Sequence, residues 1–300
     1  MGYSGRYHAA SLAAVFLALA VGILIGVGFG SDIVNGTADE LENSLHTDLD
    51  DARAQVDDLQ GELANERDLS AALTPAVVES RLRGREIGIV AFGALDDQLT
   101  DGVKAALEPA GAKLQEIAVV REPPDVAAAT EVVRRPGRDE TRAEELARAS
   151  RLAGRSLVRG GARFAELRAA LFSRYSGQPG DLDGVVIVRQ QPDGLSDREA
   201  AQTAEVEDGM IAGIQTAVPG RGKVTVVGAE QTATDPSSIQ FFADHDVASV
   251  DNVDQLAGKV ALVYTLGGAE GEFGVKETAD ALLPDLLTPS GFGFGAQKQP

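Results

Sequence analysis

Ala9 to Gly30 reads AASLAAVFLALAVGILIGVGFG, twenty-two consecutive residues without a charge. As a helix rising about 1.5 Å per residue, this run covers roughly 33 Å, enough to cross a hydrocarbon layer of about 30 Å. The sequence therefore predicts a membrane span. A cleavable signal peptide is the alternative, because Ala18-Leu-Ala20 resembles a small-residue cleavage site. Signal cores, however, are only about 7–15 apolar residues, and here the apolar run continues for ten residues past Ala20. The length favours an uncleaved anchor. Arg6 precedes the span and Asp32, Asp39 and Glu40 follow it. The positive-inside rule then keeps residues 1–8 cytoplasmic and places the bulk of the chain outside, as a single-pass protein.

Within the span, small residues recur every fourth position at Ala10, Ala14, Ala18, Gly22, Gly26 and Gly30. Residues four apart share a helix face, so this stripe allows a second helix to approach closely, although such patterns are frequent in membrane helices. The stretch from Tyr7 to Gly22, followed by an acidic heptad segment and an α/β pattern, resembles the actinobacterial MctB family, also called SteB. The resemblance implies an envelope protein of copper transport or homeostasis, with copper as its metal and an outer-envelope location. Some family members are linked to a cell-division and cell-separation system, which implies an envelope protein partner.

Charge is distributed unevenly along the chain, whose net charge is −19. Residues 31–73 hold twelve acids and two arginines, whereas residues 134–174 hold eleven arginines and five acids. An overall balance this acidic argues against nucleic acid as a partner. There is no cysteine, which removes disulfides, thiolate catalysis and thiolate metal sites together.

After a short polar joint, apolar residues fall at steps of four and three: Leu45, Leu49, Ala52, Val56, Leu59 and Leu63. This is the a/d seam of a two-stranded coiled coil, and residues 38–73 read as a stalk shared by a parallel homodimer. An amphipathic helix packed on its own domain is the other reading. A break is expected at Thr74-Pro75, since proline disfavours helix in the residue before it.

From Glu86 the period changes. Short β-branched runs at 87–92, 114–120, 184–189, 223–228 and 259–264 alternate with helical stretches at 95–110, 196–217 and 275–283. The pattern predicts a Rossmann-like or flavodoxin-like, mostly parallel, three-layer α/β domain over 85–287. Residues 123–183 form a helical insertion broken near Gly160-Gly161, its arginines a solvated face or a docking surface for an acidic partner. The tail, 288–300, has no packing pattern and reads as disordered.

Motifs for chemistry are few. After the first strand, Phe92-Gly93-Ala94-Leu95-Asp96-Asp97 places carboxylates where a dinucleotide loop needs glycines. No nucleophile elbow or zinc-protease motif is present, and the expectation is a non-enzyme without a cofactor. Asp244, His245 and Asp246 form a weak metal candidate, with an exposed turn as the plainer reading. Gly267, Gly268, Gly271 and Gly274, expected after a final strand, form a candidate ligand or partner loop beside the reading as simple punctuation. Copper(I) prefers thiolate and thioether ligands, and this chain supplies only Met1 and Met210. Its short buried strands also do not suit a pore-forming barrel.

Overall fold

The computed structural model describes residues 5–285 apart from 192 and 219–221, and side-chain surroundings within that range outside 5–6 and 28–43. The expected tail at 288–300 lies outside the described residues. The chain divides into two units, residues 1–69 and 70–300.

Helix α1, Gly5–Val78, supplies the first unit. Its stretch Tyr7–Val27 is apolar, wholly exposed and long enough to span a bilayer. The expected break at Thr74-Pro75 does not occur: the helix runs through Pro75 to Val78. Proline forfeits one backbone bond there, Thr74 Oγ1 bonds the Ser70 carbonyl at 2.7 Å, and Val78 is buried against the second unit's own core.

The second unit is a seven-stranded sheet covered on both faces. Its elements in order are β1 (Glu86–Phe92), α2 (Asp97–Ala110), β2 (Lys113–Val120), α3 (Val126–Val133), α4 (Arg142–Arg159), α5 (Phe164–Leu171) and β3 (Phe172–Gly177). There follow β4 (Gly184–Arg189), α6 (Asp197–Gln215), β5 (Thr225–Ala229), α7 (Ile239–Asp244), β6 (Ala248–Val250), α8 (Leu256–Leu266) and β7 (Glu272–Phe273). The strand order is β3-β2-β1-β4-β5-β6-β7. All neighbours are parallel except β2 and β3. With the antiparallel edge strand set aside, the order is the flavodoxin-like one, in which the chain reverses direction across the sheet between β1 and β4.

Alternate residues of the central strands enter opposite cores. Val90, Phe92, Val185 and Ile187 face α3 to α7, while Ile89, Ala91, Val186 and Val188 face α2 and α8. Both faces are buried, which is why these strands read as continuous β-branched runs. Over the first face α4 and α6 cross in backbone contact. A Cβ on Gly154 would lie 2.2 Å from the Met210 carbonyl oxygen, and one on Gly213 2.2 Å from that of Arg151. Only glycine permits this approach.

Two sequence expectations fail at the carboxyl end. The run Val260-Ala-Leu-Val-Tyr264 is not a strand but the middle of α8, a helix buried on nearly every side. A helix apolar all round carries no amphipathic period, so a short stretch of it reads like a buried strand. Residues 275–283 do not form the expected helix either. Ala281 bridges back to Phe273 of β7 and accepts the Gly274 N–H at 2.9 Å, which closes the segment into a short loop in which Asp251 accepts the N–H groups of Val275 and Lys276 at 2.8 and 2.7 Å. The strands missed by the sequence are the exposed edge β3 and the very short β6 and β7.

Candidate functional site

In open α/β sheets, ligands sit outside the carboxyl ends of the strands, where adjacent connections leave toward opposite faces. Here the loop after β1 turns to α2 on one face and the loop after β4 turns to α6 on the other. Between them lies a crevice of about 640 Å³ lined by Leu95, Asp96, Leu99, Val188, Gln190 and Glu230, among others. Its apolar floor comes from Leu99 and Val188, its polar rim from the loops.

Both helix N-termini beside this crevice are satisfied by the chain itself. Asp96 accepts the Gln98 N–H at 2.8 Å to cap α2. Ser196 and Glu199 form a reciprocal capping box on α6, with Ser196 N–H donating to Glu199 at 3.0 Å. A pyrophosphate seeking the free amides and positive end of either helix would meet a carboxylate instead. The capping bonds hold the Glu199 carboxyl below its ordinary value.

The same end of the sheet carries a buried charge network. Arg189, at the end of β4, donates Nε to both Glu207 oxygens at 3.1 and 3.2 Å, and its guanidinium lies 4.2 Å from the Phe241 ring centre. Burial pushes Glu207 up to about 7 against the opposing pull of Arg189. Glu122, which follows β2, is likewise raised by burial, with Arg189 and the Gly93 N–H acting against the shift. Next to these, Glu230 accepts from Ser237 Oγ and the Ser238 N–H, each at 2.7 Å, and pairs with Lys276 Nζ at 2.5 Å. No local motif announces these residues. The available signal is position, because Glu122, Arg189 and Glu230 each stand just beyond a β-branched run.

A further buried acid lies within β2 itself. Glu116 is 2% exposed and accepts the Tyr175 hydroxyl at 2.6 Å. Burial pushes its carboxyl up to about 8, opposed by that hydrogen bond. It lies between strand neighbours Gly88 and Gly177, and a Cβ on Gly177 would come within 2.7 Å of the Glu116 Cα.

The metal candidate is taken up by other contacts. His245 Nε2 meets Asp208 Oδ1 at 2.9 Å and its Nδ1 meets the Phe241 carbonyl at 2.7 Å. Asp244 accepts from Gln240 at 2.9 Å, and Asp246 sits in a turn at φ 56°. Among the described residues no group of three or more His, Cys, Asp or Glu is placed to hold a metal ion. Met210 is fully buried in the α6 core and Met1 lies outside the described residues, so the described surface presents no thioether.

The glycine loop follows helix α8, not a strand. Gly267 caps that helix and Gly268 and Gly271 lead into β7, so they line the amino ends of the strands, beside a cleft of about 780 Å³ with Thr225 and Ala248. Gly274 comes after β7 and lies against Asp251. Gly267, Gly268 and Gly271 are therefore at the opposite end of the strands from the one expected, and Gly274 alone of the four follows a strand.

In the first unit the predicted seam is a stripe of exposed apolar side chains. Leu45, Leu49, Val56, Leu59 and Leu63 are 47–60% exposed, and Ala52 is exposed with them. Ala10, Ala14, Ala18, Gly22 and Gly26 are also exposed, with nothing within 4 Å of a Cβ built on either glycine. Gly30 falls outside the residues whose surroundings are described.

Comparison with known proteins adds a family. A model described as "Copper transport outer membrane protein, MctB" matches residues 3–284. Proteins named "Copper transporter MctB" from Mycobacterium tuberculosis and Mycobacterium bovis are each 31% identical over 118 residues. That stretch is 39% of this chain and 38% of each relative, so the match spans little more than a third of the curated relatives' length.

Proposed function

Since the chain belongs to the MctB family, we propose that it is a single-pass envelope protein serving copper homeostasis or efflux through a protein assembly, with copper as the cargo of that assembly. The family match over residues 3–284 carries this reading. The donor chemistry shapes it: without cysteine and with Met210 buried, the described surface lacks the soft ligands a copper(I) carrier uses. The protein acts by binding, without catalysis. Its amino terminus is cytoplasmic and the α/β domain extracytoplasmic, and the outer membrane of the family description is the alternative address. Deleting the gene and measuring copper tolerance tests the reading. Sensitivity restored by the wild-type chain supports it, and unchanged tolerance contradicts it.

The exposed heptad stripe of α1 favours a second reading. Six seam residues at a/d spacing suit a parallel coiled-coil homodimer, and such a stalk, with the small-residue face of the span, also suits a scaffold that recruits an envelope protein for cell division or peptidoglycan remodelling. Cross-linking in the native envelope separates the two readings. Capture of a wall-remodelling partner that depends on the seam favours the scaffold, and capture of a copper efflux component favours the first.

A further inference from the structure

The arginines of residues 134–174 do not all serve the domain's own stability. Arg134 pairs with Glu131 at 2.5 Å and Arg148 pairs with Glu140, but Arg151, Arg155 and Arg159 have no ion-pair partner among the described residues. These three are the only exposed residues in the second half of α4, from Ala149 to Arg159. A solvated helix face ordinarily interleaves signs so that residues four apart attract, whereas like charges at that spacing repel. The positive run gains from the negative end of the helix dipole only near Arg159, in the last turn.

Neighbouring elements leave the stripe open. The groove between α4 and α6 beside Arg151 and Arg155 is about 440 Å³, with Ala147, Gly209 and Ala212 in its lining and Glu205 and Asp208 on its far side. Neither acid lies within ion-pairing distance of an α4 arginine, and Asp208 is engaged by His245. We infer that the exposed face of α4 is a docking surface for an acidic helix of another protein, whose carboxylates, one per turn, meet Arg151, Arg155 and Arg159. The three residues lie four apart along one exposed helix face, about one per turn, which matches a second helix better than it matches a small anion needing convergent donors. All three are arginine, whose planar fork pairs with carboxylates in two parallel hydrogen bonds.

The test uses the full chain in non-ionic detergent and a synthetic helical peptide with one glutamate per turn on a single face. Binding that weakens about tenfold in the Arg151→Gln, Arg155→Gln, Arg159→Gln variant, and that falls with added salt, supports the surface. Recovery by exchange of charges, with Arg155→Glu binding a peptide whose central glutamate is lysine, supports it independently of any loss of folding. Equal binding by wild type and triple variant overturns it, as does no binding by either. Retention on phosphatidylglycerol vesicles through the same arginines, with no affinity for the peptide, also overturns it and assigns the face to anionic lipid.

Discussion

Two apolar surfaces of this protein have opposite fates. In the α/β domain, α8 buries Val260 through Leu266 almost completely, and the sheet beneath it is closed on both faces. On α1, the heptad residues from Leu45 to Leu63 remain about half exposed, although their side chains are as apolar. A single chain thus completes one hydrophobic core and leaves the other stripe exposed. Under the reading proposed above, the a/d seam is the surface that a second copy of the same helix would cover.

The comparison breaks most violently at the α4 and α6 crossing. Gly154→Leu forces a side chain into the Met210 backbone, and thermal or urea unfolding should show a loss of about 4 kcal/mol or more, or no folded domain. A smaller effect comes from Glu116. Its carboxyl is raised to about 8 in the folded protein, so between the ordinary carboxylate range near 4.5 and about 8 the folded state binds more protons than the unfolded one. Stability should therefore be greatest below about 4.5 from this group and fall as pH rises to about 8, with a slope of at most about 1.4 kcal/mol per pH unit. Glu116→Gln should flatten that slope, as urea titrations at several pH values would reveal; an unchanged slope would contradict the assignment. Loss of the α6 cap in Ser196→Ala should cost about 1 kcal/mol in the same measurement. Least of all, Leu59→Asp on the stripe should alter unfolding of the α/β domain by less than about 0.5 kcal/mol, while weakening self-association. A large domain effect there would erase the distinction between the two surfaces.

Much of the domain was legible because its signals are local. Strands such as Val185–Val188 are β-branched throughout, and Gly111, at φ 78°, ends α2 where the sequence places the stop. What escaped depends on contacts far apart in the chain. Whether Val260–Tyr264 becomes strand or helix turns on burial all round, and residues 275–281 are held as a loop by the pairing of Ala281 with Phe273 and by Asp251, more than twenty positions earlier, which accepts two of the loop's amides. The charge network joins Glu122, Arg189 and Glu207 from three elements, so no spacing rule reveals it. The heptad spacing of α1 is a local signal of the same kind, and the structure makes the segment helical with all of its described residues from Ser44 to Leu73 exposed.

Sedimentation of the full chain in detergent, compared with a variant carrying Leu49→Asp and Leu59→Asp, decides whether the α1 stripe pairs two copies. A two-copy species is expected for the wild type and a single copy for the variant, with the α/β domain equally stable in both. A wild-type protein that sediments as one copy across the accessible concentration range would contradict that pairing.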